Sequence, residues 1–217
     1  MTEPLDHSLR PAEPQDADFL AWAILTAARS HLNRGWFDIV LNRPEDACLD
    51  YLRLLTLTQA RSWWHSSRFL VAEVDGRAVA GLSAFRAGDA YPLSQAAMTE
   101  AAASLGWHQA EQAAMWQRGA YIFTCTMGGS DDLWAIENIA TPPEYRGHGL
   151  AGALIGRALE MGRERGCGQA QITSFIGNDA AERAYLKAGF RFAEEKRHAD
   201  FEAAAGVPGL HRFVRDL

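Results

Sequence analysis

At 217 residues and a net charge of -6, the chain is long for one small domain and short for two full ones, so one domain over residues 1–217 with an insertion is expected. Its 48% apolar and 22% charged content excludes extended disorder. The 27 acidic residues outnumber 21 basic ones, with no basic stripe, which argues against nucleic acid and leaves cationic partners such as amines favoured.

In chain order, Ser8, Leu9 and Arg10 before Pro11 read as a short strand, and Asp16 or Asp18 caps a helix with Leu20, Ala23, Ile24 and Ala27 on one face. Pro44, Glu45 and Asp46 open a second helix, expected to run to about residue 64. Residues 69–74 and 79–85, joined across Asp75-Gly76, form a hairpin with a two-residue turn. Ala-rich, helix-favouring sequence with Trp107 and Trp116 marks a helical insertion at about 87–119. Residues 121–127 read as a strand, followed by a glycine turn and a strongly apolar strand at 134–140. A helix is expected at 149–165, a strand at 169–175, and a helix at 179–188 that ends on a left-handed Gly189. Residues 190–197 and 211–214 supply the last strands, and the alternation argues for an α/β or α+β sheet with helical cover.

The three cysteines, Cys48, Cys125 and Cys167, show no C-x-x-C spacing, so reduced thiols are expected, with Cys167 packed at a helix–strand junction. The seven histidines lack H-x-x-x-H spacing, and no metal is expected. The N-terminal segment is polar and acidic where a signal peptide would be basic and then apolar. No apolar run reaches the ~18 residues that span a bilayer. A soluble, cytoplasmic protein with no membrane partner is expected, and a homodimer is left open.

The chemistry concentrates in Trp134-Ala-Ile-Glu-Asn-Ile-Ala-Thr-Pro-Pro-Glu-Tyr-Arg-Gly-His-Gly-Leu-Ala151. A strand runs into a loop and then into a glycine-rich helix start. First-turn amides without intrahelical partners, together with the helix dipole, make an anion site, and Gly147 and Gly149 let the backbone approach a diphosphate. Arg146 adds a charge-assisted contact. No G-x-x-x-x-G-K-[ST] is present and no G-x-G-x-x-G follows the first strand, which disfavours nucleoside triphosphatases and dinucleotide folds.

Arg146, Gly149 and Ala151 resemble the R/Q-x-x-G-x-G/A acyl-CoA motif of the GNAT superfamily of N-acetyltransferases, preceded by Pro143-Glu-Tyr-Arg-Gly as is common there. Asn178, Ala181, Tyr185, Lys187, Gly189 and Phe190 are similar to the family's N-x-x-A-x-x-x-Y-x-K-x-G-F block. The resemblance covers residue 134 to about 197 and implies a mixed sheet, splayed at its centre, with acetyl-CoA as cofactor and CoA as product. It further implies that main-chain groups around Ile139, Ala140 and Thr141 bond pantetheine. The pyrophosphate would sit on the amides of Arg146, Gly147, His148, Gly149, Leu150 and Ala151, and Asn178, after the second strand, would face the cofactor from the other side. His148 contributes its backbone amide alone.

Acetyl transfer from a thioester to an amine requires a proton acceptor, a site for the oxyanion and a proton for the thiolate. The amide near Ile139 is placed for the oxyanion. Tyr185 is the candidate acid, its alternative being a core-facing ring. Glu137 interrupts an apolar strand and is the candidate base; a solvated strand position or a structural salt bridge is the alternative. Trp36, Trp63, Trp64, Trp107 and Trp116 either line an apolar acceptor pocket or belong to the core. The expected activity is acetylation of a primary amine on a small molecule. Its rivals are a longer-chain acyltransferase and a CoA-binding regulatory module without turnover.

Overall fold

The computed structural model describes residues 5–217. Strands β1 (Ser8–Pro11), β2 (Phe69–Val74), β3 (Arg77–Arg86), β4 (Trp134–Ala140), β5 (Gln169–Phe175), β6 (Arg191–Arg197) and β7 (Gly209–Asp216) build one mixed sheet ordered β1-β2-β3-β4-β5-β7-β6. Each neighbouring pair is antiparallel except β4–β5, which is parallel. The β2–β3 turn has Asp75 at φ 49° and Gly76 at φ 77°, the pair of left-handed residues that a two-residue hairpin loop needs to match strand twist.

Two cores flank the sheet, and the period-two alternation of β2 feeds both. Phe69 and Val71 join Leu20, Ile24, Tyr51, Leu52 and Leu55 on one face. Leu70 and Ala72 join Leu82, Trp134, Leu154, Ile155 and Ala158 on the other. The first face is covered by α1 (Ala17–Arg29), α2 (Trp36–Leu41), α3 (Glu45–Leu55), α4 (Ala87–Ala90), α5 (Ser94–Ser104) and α6 (Gln109–Gly119). The second is covered by α7 (Leu150–Glu164) and α8 (Asp179–Lys187); a short α9 (Ala199–Ala205) lies between β6 and β7. Gly162 lets α7 sit directly on Trp134: a Cβ there would come within 2.8 Å of the indole, whose Nε1 donates to Ala158 O at 2.7 Å.

Several local expectations change. Asp16 precedes α1, but its carboxylate turns back to accept from Glu13 N (2.8 Å) and Arg10 instead of capping the helix. The helix expected from residue 44 ends at Leu55, because Thr56 and Thr58 turn their hydroxyls onto the carbonyls of Arg53 and Leu55. The strand expected at 121–127 is a 3-10 turn, Ala120–Thr124, followed by irregular chain. There Thr124 and Thr126 bond the carbonyls of Tyr121 and Ile122, and Tyr121 packs edge-on against Phe201. Helices α2 and α9 were not expected. Asp38 nucleates the first by accepting from Gly35 N while paired with Arg29, and Gly206 at φ 79° ends the second.

Two irregularities of β4 shape the centre of the sheet. Its register against β3 shifts between Gly81↔Ala140 and Ser83↔Glu137, so β4 carries one extra residue at Asn138 and Ile139. Asn138 adopts φ 55°. On its other edge, β4 meets β5 only at Trp134↔Ala170 and Ala135↔Gln171 among the described residues. Beyond Ala135 the two parallel strands part, while each stays paired to its outer neighbour.

Candidate active site

The cleft opens at the carboxyl ends of β4 and β5, where a helix start follows each strand. From β4 the chain passes a 3-10 turn, Pro143–Tyr145, then Arg146 in extended conformation. Gly147 (φ 84°) and Gly149 (φ 81°) then turn it into α7 through backbone that L side chains rarely adopt. A Cβ built at Gly147, Gly149 or Gly152 would meet nothing within 4 Å, so the protein leaves the space over this helix start clear. The first-turn amides from Leu150 onward lack intrahelical acceptors and carry the positive end of the helix dipole. Arg146 is tethered by its Nε to Thr141 O at 2.9 Å. An extended chain with amides fits between the parted strands, and a diphosphate fits the glycine turn.

Glu137 lies on the opposite face of β4 from α7, one residue before the bulge, beside the parted edge. Its Oε1 accepts from Tyr91 Oη at 3.0 Å, and Oε2 has no protein partner among the described residues. The carboxyl is enclosed by protein yet keeps part of its surface in reach of solvent. Burial raises its pKa to about 7, with the Tyr91 hydrogen bond pulling the other way. The side chain therefore exchanges a proton at neutral pH, as a base for an ammonium group must.

Tyr185 sits on α8 with its ring buried edge-on against Phe213, centroids 5.9 Å apart. Burial first, then the carboxylates of Glu137 and Glu182, push its pKa well above that of a free tyrosine. The ring is therefore core, and the hydroxyl lies within reach of the charge on Glu137. Glu182, one turn earlier, fixes α8 to the sheet through His211 Nδ1 (2.7 Å) and Ser174 Oγ (3.2 Å). Asn178 caps α8 by accepting from Ala181 N, and its Nδ2 donates to Ser30 Oγ at 2.7 Å. Its amide thus ties the end of α1 to the start of α8.

Ile139 and Ala140 follow the bulge at the end of β4, with Ala140 paired to Gly81, and Thr141 comes next as the strand ends. All five tryptophans pack into one core cluster, with Trp36, Trp63 and Trp64 in contact in series. Trp63 stands 5.7 Å from the Tyr91 ring; Trp64 is buried with Trp36 stacked on it; Trp107 stacks on Tyr51; Trp116 packs on the α1–α3 core. Two surface cavities, about 250 Å³ beside Trp107 and Arg118 and about 190 Å³ beside Arg68 and Arg165, touch neither Glu137 nor the glycine turn. Tyr91, Gln171 and Asn138 were not anticipated as site residues. An asparagine inside an apolar strand, tolerant of left-handed backbone, was the available sign of the bulge; Tyr91 carried none. Among the described residues no group of three or more His, Cys, Asp or Glu is placed to hold a metal, and no helix is long and apolar enough to cross a membrane.

The family model described as acetyltransferase (GNAT) family matches residues 34–190. No curated protein matches the sequence at significant similarity. Among solved structures, an N-acetyltransferase from Staphylococcus aureus Mu50 is similar at 20% identity and TM-score 0.69, over 96% of this chain and 100% of that one. A polyamine N-acetyltransferase of Drosophila melanogaster, which forms N-acetylagmatine, is similar at 16% identity and TM-score 0.56, covering 98% and 100%. An acetyltransferase of Salmonella typhimurium solved with acetyl-CoA is similar at 16% identity and TM-score 0.55, covering 97% and 94%. At these identities the likeness is one of fold.

Proposed function

The chain belongs to the GNAT acetyltransferase family, whose members are acetyl-CoA-dependent N-acetyltransferases, and on that premise we propose that it acetylates the primary amine of a small cationic molecule. The observation that carries this reading is Glu137, an enclosed carboxyl whose pKa burial pushes up to about 7, placed beside the gap in the sheet with one oxygen unpartnered among the described residues. The net charge of -6 favours the approach of a cation. Agmatine and the polyamines, the amines named for similar folds, are the first acceptors to consider.

Backbone groups of Ile139, Ala140 and Thr141 hold the pantetheine arm. The amides of Gly147, His148, Gly149, Leu150 and Ala151, with Arg146, would hold the diphosphate, and Asn178 would face the cofactor from the β5 side. Acetyl-CoA supplies the thioester and the thiol leaving group when bound. Glu137 Oε2 takes the ammonium proton, directly or through one water, and the Ile139 amide faces the developing oxyanion. Tyr185 Oη would supply the proton that the sulfur takes up, and the second proton that the nitrogen loses as the amide forms would restore it. It thus starts each turnover in the protonated state that its raised pKa preserves.

The test is release of CoA thiol from acetyl-CoA across a panel holding agmatine, spermidine, aminoglycosides, amino acids and a peptide N-terminus. Steady release with a small amine supports the reading. Release only with the peptide would assign a protein acceptor. Tight acetyl-CoA binding with no release from any amine would make the chain a binding module.

A further inference from the structure

The helical segment between β3 and β4 does more than cover the sheet. It ends its first turn at Ala90 and then enters a 3-10 turn, Tyr91–Leu93, which turns the Tyr91 ring onto the buried face of β4. Three contacts hold that ring: Phe85 edge-on at 5.0 Å, Trp63 at 5.7 Å, and Glu137 through the hydroxyl at 3.0 Å. Trp63 is itself fixed by Nε1 donating to Ser94 Oγ at 3.0 Å, and Ser94 Oγ donates back to Tyr91 O at 2.7 Å. The segment therefore closes a loop of contacts around one hydroxyl.

That hydroxyl has one hydrogen to give, and it gives it to Oε1 of Glu137. A carboxylate held by one oxygen keeps its plane and presents the other oxygen in a fixed direction. Gln171 on β5 also approaches the hydroxyl, as a donor to its oxygen, while the Gln171 Oε1 is buried without a partner. The ionisable groups that bear on Glu137 are Tyr91 from this segment and Tyr185 from α8; Phe85, Trp63, Gln171 and Ser83 complete the surroundings without charge.

We propose that Tyr91 is the positioning residue of Glu137: the inserted segment delivers its hydroxyl to anchor Oε1, leaving Oε2 to meet the acceptor's ammonium group. This rests on Glu137 being the base. A donor to a carboxylate stabilises the charged form, so Tyr91 also sets where Glu137 exchanges its proton. Without the hydroxyl, desolvation acts unopposed and the carboxyl holds its proton to higher pH.

The experiment titrates Glu137 directly in the full chain, using carboxyl ¹³C-labelled glutamate and nuclear magnetic resonance. The Glu137 signal is identified by its loss in Glu137→Gln. The wild-type midpoint is expected at about 7. In Tyr91→Phe, which keeps the ring packed against Phe85 and Trp63, the midpoint should rise by about one to two pH units, the worth of one hydrogen bond to a charged acceptor. Acetyl-CoA affinity by calorimetry should stay within about twofold, since the site for the diphosphate lies on the other face of β4. A midpoint unmoved in Tyr91→Phe overturns the proposal and leaves Glu137 free to be the base. Separately, turnover of Glu137→Gln equal to the parent's overturns the base reading, and with it the catalytic meaning of the anchor, whatever the midpoint does.

Discussion

Asn138 Nδ2 donates to Ser83 Oγ at 3.0 Å across the β3–β4 pair, at the point where β4 carries its extra residue. Both side chains are buried, so the bond satisfies two polar groups that water does not reach. It holds Asn138 at φ 55°, a conformation that only glycine, asparagine and aspartate adopt cheaply. Asn138→Val should therefore destabilise the protein by about 1–3 kcal/mol, through backbone strain and an orphaned Ser83 hydroxyl. Asn138→Gly should cost less, because it relieves the strain and loses only the bond. Urea unfolding of the two variants checks the order, and equal losses would show that the bond outweighs the backbone.

Gly149 stands at φ 81° with clear space where its side chain would project. Gly149→Val keeps the fold, at a cost of about 1–2 kcal/mol in left-handed strain, and fills the space a diphosphate needs. Acetyl-CoA affinity measured by calorimetry should fall by more than about tenfold. Unchanged affinity in a folded variant would move the cofactor away from this turn.

Glu137 makes stability depend on pH in an unusual direction. An unfolded glutamate titrates near 4.5, whereas burial raises the folded value to about 7. The native state thus binds the proton more tightly, and this side chain's contribution to stability falls as pH rises from about 4.5 to about 7. Glu137→Gln cannot titrate, so relative to the parent it should gain stability between about pH 4.5 and pH 8. Urea midpoints of both proteins at the two ends of that window decide it. A constant difference would mean that Glu137 titrates normally.

Tyr185→Phe separates the hydroxyl from the ring. The ring's contact with Phe213 survives the change, so stability should move little. Turnover should fall by about 10²-fold, the low end for a general acid, because a phenol with a raised pKa gives up its proton reluctantly. Acetyl-CoA affinity should be nearly constant. Full activity would leave the ring as core alone; parallel losses of affinity and turnover would make it a residue that positions the cofactor.

The chain after Trp134 was legible, α9 apart, because its signals are local. The glycines at 147 and 149 announce a turn no other residue makes easily, Gly189 at φ 83° announces a helix end, and the spacing of Leu150, Leu154 and Ala158 announces the buried stripe of α7. Glu137 stood out because a carboxyl in an apolar strand needs a reason. The segment at 121–127 misled because its apolar residues satisfy a strand's composition, and only threonine hydroxyls bonding back to Tyr121 and Ile122 turn it into a coil. Tyr91 was invisible for another reason. Its partner lies 46 residues away, and the contact exists only once β3, the inserted helices and β4 have come together.

The gap between β4 and β5 also has a mechanical side. Past Ala135, two strands in the middle of the sheet present facing rows of amides and carbonyls that neither supplies to the other. A guest lying there would act as an eighth strand and join two half-sheets, β1 to β4 and β5 with β7 and β6, into a continuous one. Ligand loading and resistance to unfolding then become a single linked equilibrium, with the melting temperature climbing as the guest's concentration exceeds its dissociation constant.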